Sequence, residues 1–115
     1  MTDLTSIRDE LRRFADERDW DQFHSPKNLA SALSVEAAEL LEPFQWLTDE
    51  QSRHLSVDQA KAVSKELADV LIYLVRLADK LDVNLIEAAQ KKIVENAAKY
   101  PVDRAKGSIR KSTDL

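Results

Sequence analysis

One glycine and three prolines are all that punctuate this chain of 115 residues. Sheet-rich folds need turn residues at many corners, where Gly supplies positive φ and Pro presets a bend. The shortage therefore favours long helices joined by few loops. The chain is 43% hydrophobic and 33% charged. That balance supports a packed globular core and argues against disorder. The length suits one domain and hardly two.

The helices can be read from spacing. Leu4, Ile7, Leu11 and Phe14 recur among charged residues and predict an amphipathic helix over 4–19. Ser25-Pro26 reads as a helix entry, with Ser as cap and Pro in the first turn. A second helix is expected over 27–42, ended by Pro43, which has no N–H to donate. Phe44-Gln45-Trp46 reads as one further short turn. TDEQSRHLS is a polar connection. A third helix is predicted from about 56 to 81. A fourth is predicted over 84–98, with Leu85, Ala88, Ala89, Ile93, Val94 and Ala97 facing in and Lys99-Tyr100-Pro101 closing it.

The third helix is unusual. Residues 67–78 are apolar almost all round: Leu67, Ala68, Val70, Leu71, Ile72, Leu74, Val75, Leu77 and Ala78. Such a helix must be covered on nearly every side. One small four-helix protomer can hardly do that, so a homo-oligomer is expected. The sum is an all-α, four-helix bundle over residues 1–101. Residues 102–115 form a tail that, with Lys99, carries Arg104, Lys106, Arg110 and Lys111. A solvated basic terminus explains that cluster as readily as a function does.

Composition narrows the function. The absence of cysteine removes disulfides, thiolate metal sites and cysteine nucleophiles, and fits a reducing compartment. No apolar run approaches the ~20 residues of a membrane span, so no membrane partner is expected. The opening MTDLTSIRDE is polar and acidic, unlike a signal peptide, which makes the cytoplasm the expected location. Net charge is -4 with no basic stripe along the body. A nucleic-acid polymer therefore has little electrostatic reason to bind.

Carboxylates stand out instead. Glu36 and Glu39 share a helix face among Val35, Ala37, Ala38, Leu40 and Leu41. Glu66 and Asp69 repeat the spacing in the most apolar segment. Buried carboxylates at close range oppose each other's ionisation and need a positive partner. Lys65 and Arg76 are both within reach of Asp69 along the helix, but two cations do not neutralise four acids. A hard, oxygen-loving cation does: Mg²⁺, with Mn²⁺ as a possible substitute. A di-iron bundle would want Glu-x-x-His motifs, and His24 and His54 lie in neither pair. A lone Glu-x-x-Glu is common on solvated helix faces; two in apolar surroundings on consecutive helices are not. Glu42, at a helix end, reads as exposed.

Aromatic and basic residues add two further clusters. Trp20 and Phe23 precede the second helix and Trp46 follows it. They could stack on a flat base, or plug the ends of the bundle as core. Tyr73 lies one turn beyond Asp69. Lys92, Asn96 and Lys99 share a face of the fourth helix, suited to phosphate oxygens or simply to solvent. Acidic metal site, aromatic platform and lysine face together describe a nucleoside triphosphate held through a metal.

Several stretches carry a resemblance. They are FADERDWDQFHSPKNLASALSVEAAELLEPFQW, KELADVLIYLVRLAD and KKIVENAAKYP, and together they span most of residues 14–101. The chain resembles the MazG-like all-α nucleoside triphosphate pyrophosphohydrolases, nearest to the dCTP pyrophosphatase type. The family's acidic motif, Glu-x-x-Glu then Glu-x-x-Asp, is matched by Glu36, Glu39, Glu66 and Asp69. The resemblance implies Mg²⁺-dependent hydrolysis of a (deoxy)nucleoside triphosphate to the monophosphate and pyrophosphate. It implies that those four carboxylates bind metal. It also implies that Trp20 and Trp46 line a base pocket with His24 and Asn28 in the pocket-forming segment, and that Tyr73, Lys92 and Asn96 lie on the substrate side. Family members assemble as dimers or dimer-of-dimers tetramers. Lys106 and Lys111 are further candidates to reach phosphate. Pro43, just before Phe44-Gln45-Trp46, departs from the family pattern and could bend that exit.

The expected function is a Mg²⁺-dependent pyrophosphohydrolase acting on dCTP or a modified dCTP, as a nucleotide pool-cleaning enzyme. Glu39 is assigned to orient the attacking water, Phe23 and His24 to shape the pocket edge, and Lys99 to bind phosphate with Lys92. Alternatives are another dNTP or NTP, a phosphoribosyl nucleotide, or a non-catalytic helical interaction module.

Overall fold

The computed structural model describes residues 3–115. The described residues contain helices and turns and no strand. The helices are α1 (Leu4–Glu17), α2 (Pro26–Leu41), α3 (Asp49–Ser52), α4 (Val57–Lys80), α5 (Leu85–Lys99) and α6 (Val102–Ala105). Short 3₁₀ turns lie at Asp21–Phe23 and Ser112–Asp114. No helix is long and apolar enough to cross a membrane among the described residues.

The helix starts follow from capping chemistry. Ser56 accepts from the Gln59 amide at 3.1 Å while the Gln59 side chain accepts from the Ser56 amide at 2.9 Å. This reciprocal box satisfies two otherwise unpaired donors at the head of the longest helix. Thr48 and Gln51 build the same box and start α3, within the stretch expected to be a plain connection. Ser25 caps α2 through the Asn28 amide at 3.1 Å, with Pro26 in the first turn, as expected. Asn84 caps α5 through the Glu87 amide at 3.0 Å.

The ends follow from backbone constraint. α1 stops two residues short of the predicted boundary because Asp19 takes a left-handed conformation, φ 52°. Asp82 does the same after α4, φ 55°. Glycine usually fills that position, and aspartate is among the few residues that tolerate it. α2 ends at Leu41 ahead of Pro43, and residues 42–46 form consecutive turns rather than a further helix.

The chain divides into two compact units, one through Asp82 and one from Val83 to Leu115. In the first, α2 packs along α4, and α1 also packs on α4. Its buried apolar residues are Ala15, Leu29, Val75 and Ala78, a small core for so apolar a helix as α4. Leu67, Leu71 and Leu74 remain 52%, 39% and 37% exposed in the single chain. In the second unit, α5 contains no buried residue, and Ile93 and Val94 are exposed. The expectation that they face inward is thus not met within one protomer. The amphipathic spacing is present, but a single chain does not cover it.

Candidate active site

The α2–α4 pairing brings the two acidic motifs together. One carboxylate oxygen from each of Glu36, Glu39 and Glu66 lies within 4.8 Å of the others. Asp69 is not in this tight trio, although its negative charge still acts on Glu36. All four residues are half-buried. Glu36 is pushed up to about 7, first by removal from water, then by a hydrogen bond with Glu39 and by the charges of Glu39, Asp69 and Glu66.

No cation answers these carboxylates among the described residues. Glu36 Oε2 and Glu66 Oε2 are buried with no hydrogen-bond partner. Buried carboxylate oxygens without a donor are costly and rare. Three converging carboxylates, two with an unmet acceptor, fit a hard divalent cation with oxygen ligands. Lys65 is exposed and makes no ion pair with Asp69 among the described residues. Arg76, the other predicted neutraliser, turns away from Asp69. Its guanidinium contacts Asp21 at 2.9 Å, His24 at 3.1 Å and Asp79 at 3.6 Å. Neither histidine joins the acidic group: His24 meets Arg76, and His54 meets Glu50 at 3.1 Å. Glu42 is exposed, as expected.

The aromatic residues differ in their surroundings. Trp20 meets Phe14 edge-on, centroids 5.6 Å apart, and His24 at 6.3 Å. The Arg18 guanidinium lies 3.6 Å above the Phe14 ring. Trp20 is therefore anchored on one side and 43% exposed on the rest. Trp46 is 87% exposed and makes no ring contact among the described residues. Phe23 is exposed. The Asn28 side chain donates to the Phe23 carbonyl at 3.0 Å, which ties the 3₁₀ turn to the head of α2. Tyr73 is half-buried on α4. In the second unit Lys92, Asn96 and Lys99 are all exposed, and Lys92 lies 3.5 Å from Glu95.

Sequence reasoning missed an ionic network at the other end of α4. Asp79 accepts two bonds from Arg12, one from Nε at 2.7 Å, which hold its carboxyl below the usual range. Asp21 accepts from Lys80 and Arg76 and is lowered chiefly by Lys80. The signal was there: Arg76 is the one charged residue in the apolar run 67–78 besides Asp69. A cation so placed needs acids from other elements.

Among the described residues, paired helices gather carboxylates around two unmet acceptor oxygens, an arrangement suited to a cation-dependent enzyme. Comparison with known proteins agrees. Residues 31–115 match the model of the MazG-like family, and the chain belongs to that family. It is 46% identical over 114 residues to dCTP pyrophosphatase 1 of Bos taurus, covering 97% of this chain and 68% of that protein. The same protein of Homo sapiens is 46% identical, covering 97% and 67%. Among solved structures, a pyrophosphatase from Archaeoglobus fulgidus is 42% identical with a TM-score of 0.82, covering 88% of this chain and 94% of that one. The chain is an enzyme of this pyrophosphohydrolase class.

Proposed function

We propose that this protein hydrolyses dCTP or a modified dCTP to the monophosphate and pyrophosphate, with Mg²⁺ or Mn²⁺ held by Glu36, Glu39, Glu66 and Asp69. The observation that carries the metal assignment is the pair of buried, unpartnered oxygens on Glu36 and Glu66. The similarity to dCTP pyrophosphatases supports the substrate.

A triphosphate and a group of carboxylates repel each other, so this site needs intervening positive charge. When bound, the divalent cation supplies that charge and polarises the phosphate oxygens. Glu39 orients the attacking water and takes its proton as the water oxygen bonds to the α-phosphorus. The bond from that phosphorus to the bridging oxygen breaks, and pyrophosphate leaves. Lys92, Asn96 and Lys99 bind phosphate oxygens and stabilise the leaving charge. Trp20 and Trp46 stack on the base, with Phe23, His24 and Asn28 forming the pocket edge and Tyr73 on the substrate side. Trp20 is suited to this role by its anchored ring and its open face.

The protein works as a homo-oligomer in the cytoplasm, a dimer or a dimer of dimers. The uncovered Leu67, Leu71 and Leu74 of α4 support assembly. Residues 102–115 form a basic tail, and Lys106 and Lys111 carry charge suited to phosphate oxygens. A steady-state panel of dNTPs and NTPs tests the substrate. The highest kcat/KM is expected for dCTP, and a preference for another nucleotide would move the specificity while keeping the metal site.

A further inference from the structure

Arg76 sits within the apolar run of α4 and is 5% exposed. A guanidinium so buried must have its charge and donors answered. The answer comes largely from residues 20–24, more than fifty positions away in sequence. Nη2 donates to Asp21 Oδ1 at 2.9 Å, and Nε donates to His24 Nδ1 at 3.1 Å. Lys80, one turn along α4, donates to the same Asp21 oxygen. Asp79, 3.6 Å from Nη1, is itself held by Arg12 of α1. This segment also carries Trp20, whose ring meets His24 edge-on.

The direction of one hydrogen bond has a chemical consequence. Arginine can only donate. His24 Nδ1 must therefore present its lone pair, and the proton of the neutral ring sits on Nε2. Nε2 has no partner among the described residues.

We propose that Arg76 is a positioning residue for nucleotide binding: it clamps residues 20–24 to α4 and fixes His24 as the Nε2–H tautomer, a single donor for an acceptor atom on the base edge. This rests on the reading of Trp20 and His24 as base-pocket residues. Discrimination between bases needs a donor of fixed identity, because a ring free to change tautomer can accept at Nε2 as well as donate there. The charged groups that face His24 are Arg76 and Lys80 from α4 and Asp21 from its own segment. Removal from water, Arg76 and Lys80 together lower the ring's pKa against the pull of Asp21. The same surroundings that fix the tautomer thus also favour the neutral ring.

The test begins on the unaltered clamp. The chain has two histidines, so His54→Gln leaves His24 as the sole imidazole for long-range proton–nitrogen NMR. The expected result is the Nε2–H pattern, with protonation of the ring displaced to lower pH than in an ordinary histidine, and with the Nε2 resonance moving on addition of dCTP and Mg²⁺. An Nδ1–H pattern, or the average of two exchanging tautomers, overturns the proposal. Kinetics supply the second readout. Arg76→Lys keeps the charge but cannot serve Asp21 and His24 together. It is expected to raise KM roughly tenfold, with kcat within a few-fold. An unchanged KM in the folded variant overturns the proposal. If the variant fails to fold, the NMR of the intact clamp decides. An intact Nε2–H pattern in a protein that turns over no nucleotide would instead sink the proposed function.

Discussion

Glu36 and Glu66 come from different helices, yet each buries one carboxylate oxygen, Oε2, with no hydrogen-bond partner among the described residues. The side chains gathered with them include a further carboxylate. Glu39 contributes the third oxygen of a group spanning no more than 4.8 Å, and Asp69 adds charge from α4. Packing α2 on α4 thus concentrates like charge that no cationic side chain answers among the described residues, which is the ground for the proposed metal site.

The first prediction concerns pH. Glu36 titrates in the folded, metal-free protein at about 7, above its ordinary 4.5. The folded state therefore holds a proton that the unfolded chain releases between those values. Stability from this group is fully present below pH 4.5 and is lost as pH rises through 7. The Tm of the metal-free protein should fall across that interval, and Glu36→Gln should flatten the fall. Thermal scans of both proteins in chelator, over a pH series, check it; equal slopes would contradict the shift.

Metal binding must displace that proton. Mg²⁺ affinity should therefore rise with pH up to about 7 and level off above it. Calorimetry in two buffers of different ionisation enthalpy measures the protons released. No release at pH 6 would remove Glu36 from the metal site.

Glu39→Gln keeps the shape of the side chain and removes its basicity. The variant should fold and lose about 100-fold or more in kcat. Turnover within a few-fold of the parent would assign the water to another residue.

The two tryptophans should separate stability from binding. Trp46 is almost free of protein contacts, so Trp46→Ala should change stability by no more than about 0.5 kcal/mol while raising KM. Trp20→Ala removes the edge contact with Phe14 and should cost about 1 kcal/mol in addition to raising KM. Denaturant titration beside steady-state kinetics distinguishes them. An unchanged KM in Trp46→Ala would take that ring out of the pocket.

Assembly is the fifth point. Sedimentation should give at least twice the 13.1 kDa of one chain. Leu71→Glu, which places a charge on the uncovered face of α4, should reduce the mass toward one protomer. A monomeric parent protein would contradict the reading of α4.

The long helices were legible because their cues are local. Apolar spacing, the Ser25-Pro26 entry and Pro43 set their boundaries to within about two residues. α3 was not foreseen, since Thr48 and Gln51 make a capping box in a stretch that carries no apolar period. The acidic group was legible in the two i, i+3 pairs. Which three oxygens converge was not, because that depends on how α2 and α4 meet. The partners of Arg76 were out of reach for the same reason. Helical spacing offered Asp69 on the same element, whereas Asp21 and His24 lie more than fifty residues away and win through tertiary packing. The inward face assigned to α5 failed because apolar spacing says that a face is to be covered, not by which chain.

The most direct test of the central claim is pyrophosphate release from a panel of dNTPs and NTPs, with Mg²⁺ and with chelator. Release that requires Mg²⁺, is greatest with dCTP and disappears in Glu36→Gln is the predicted result. Undiminished release in chelator, or none from any nucleotide by the folded protein, would contradict it.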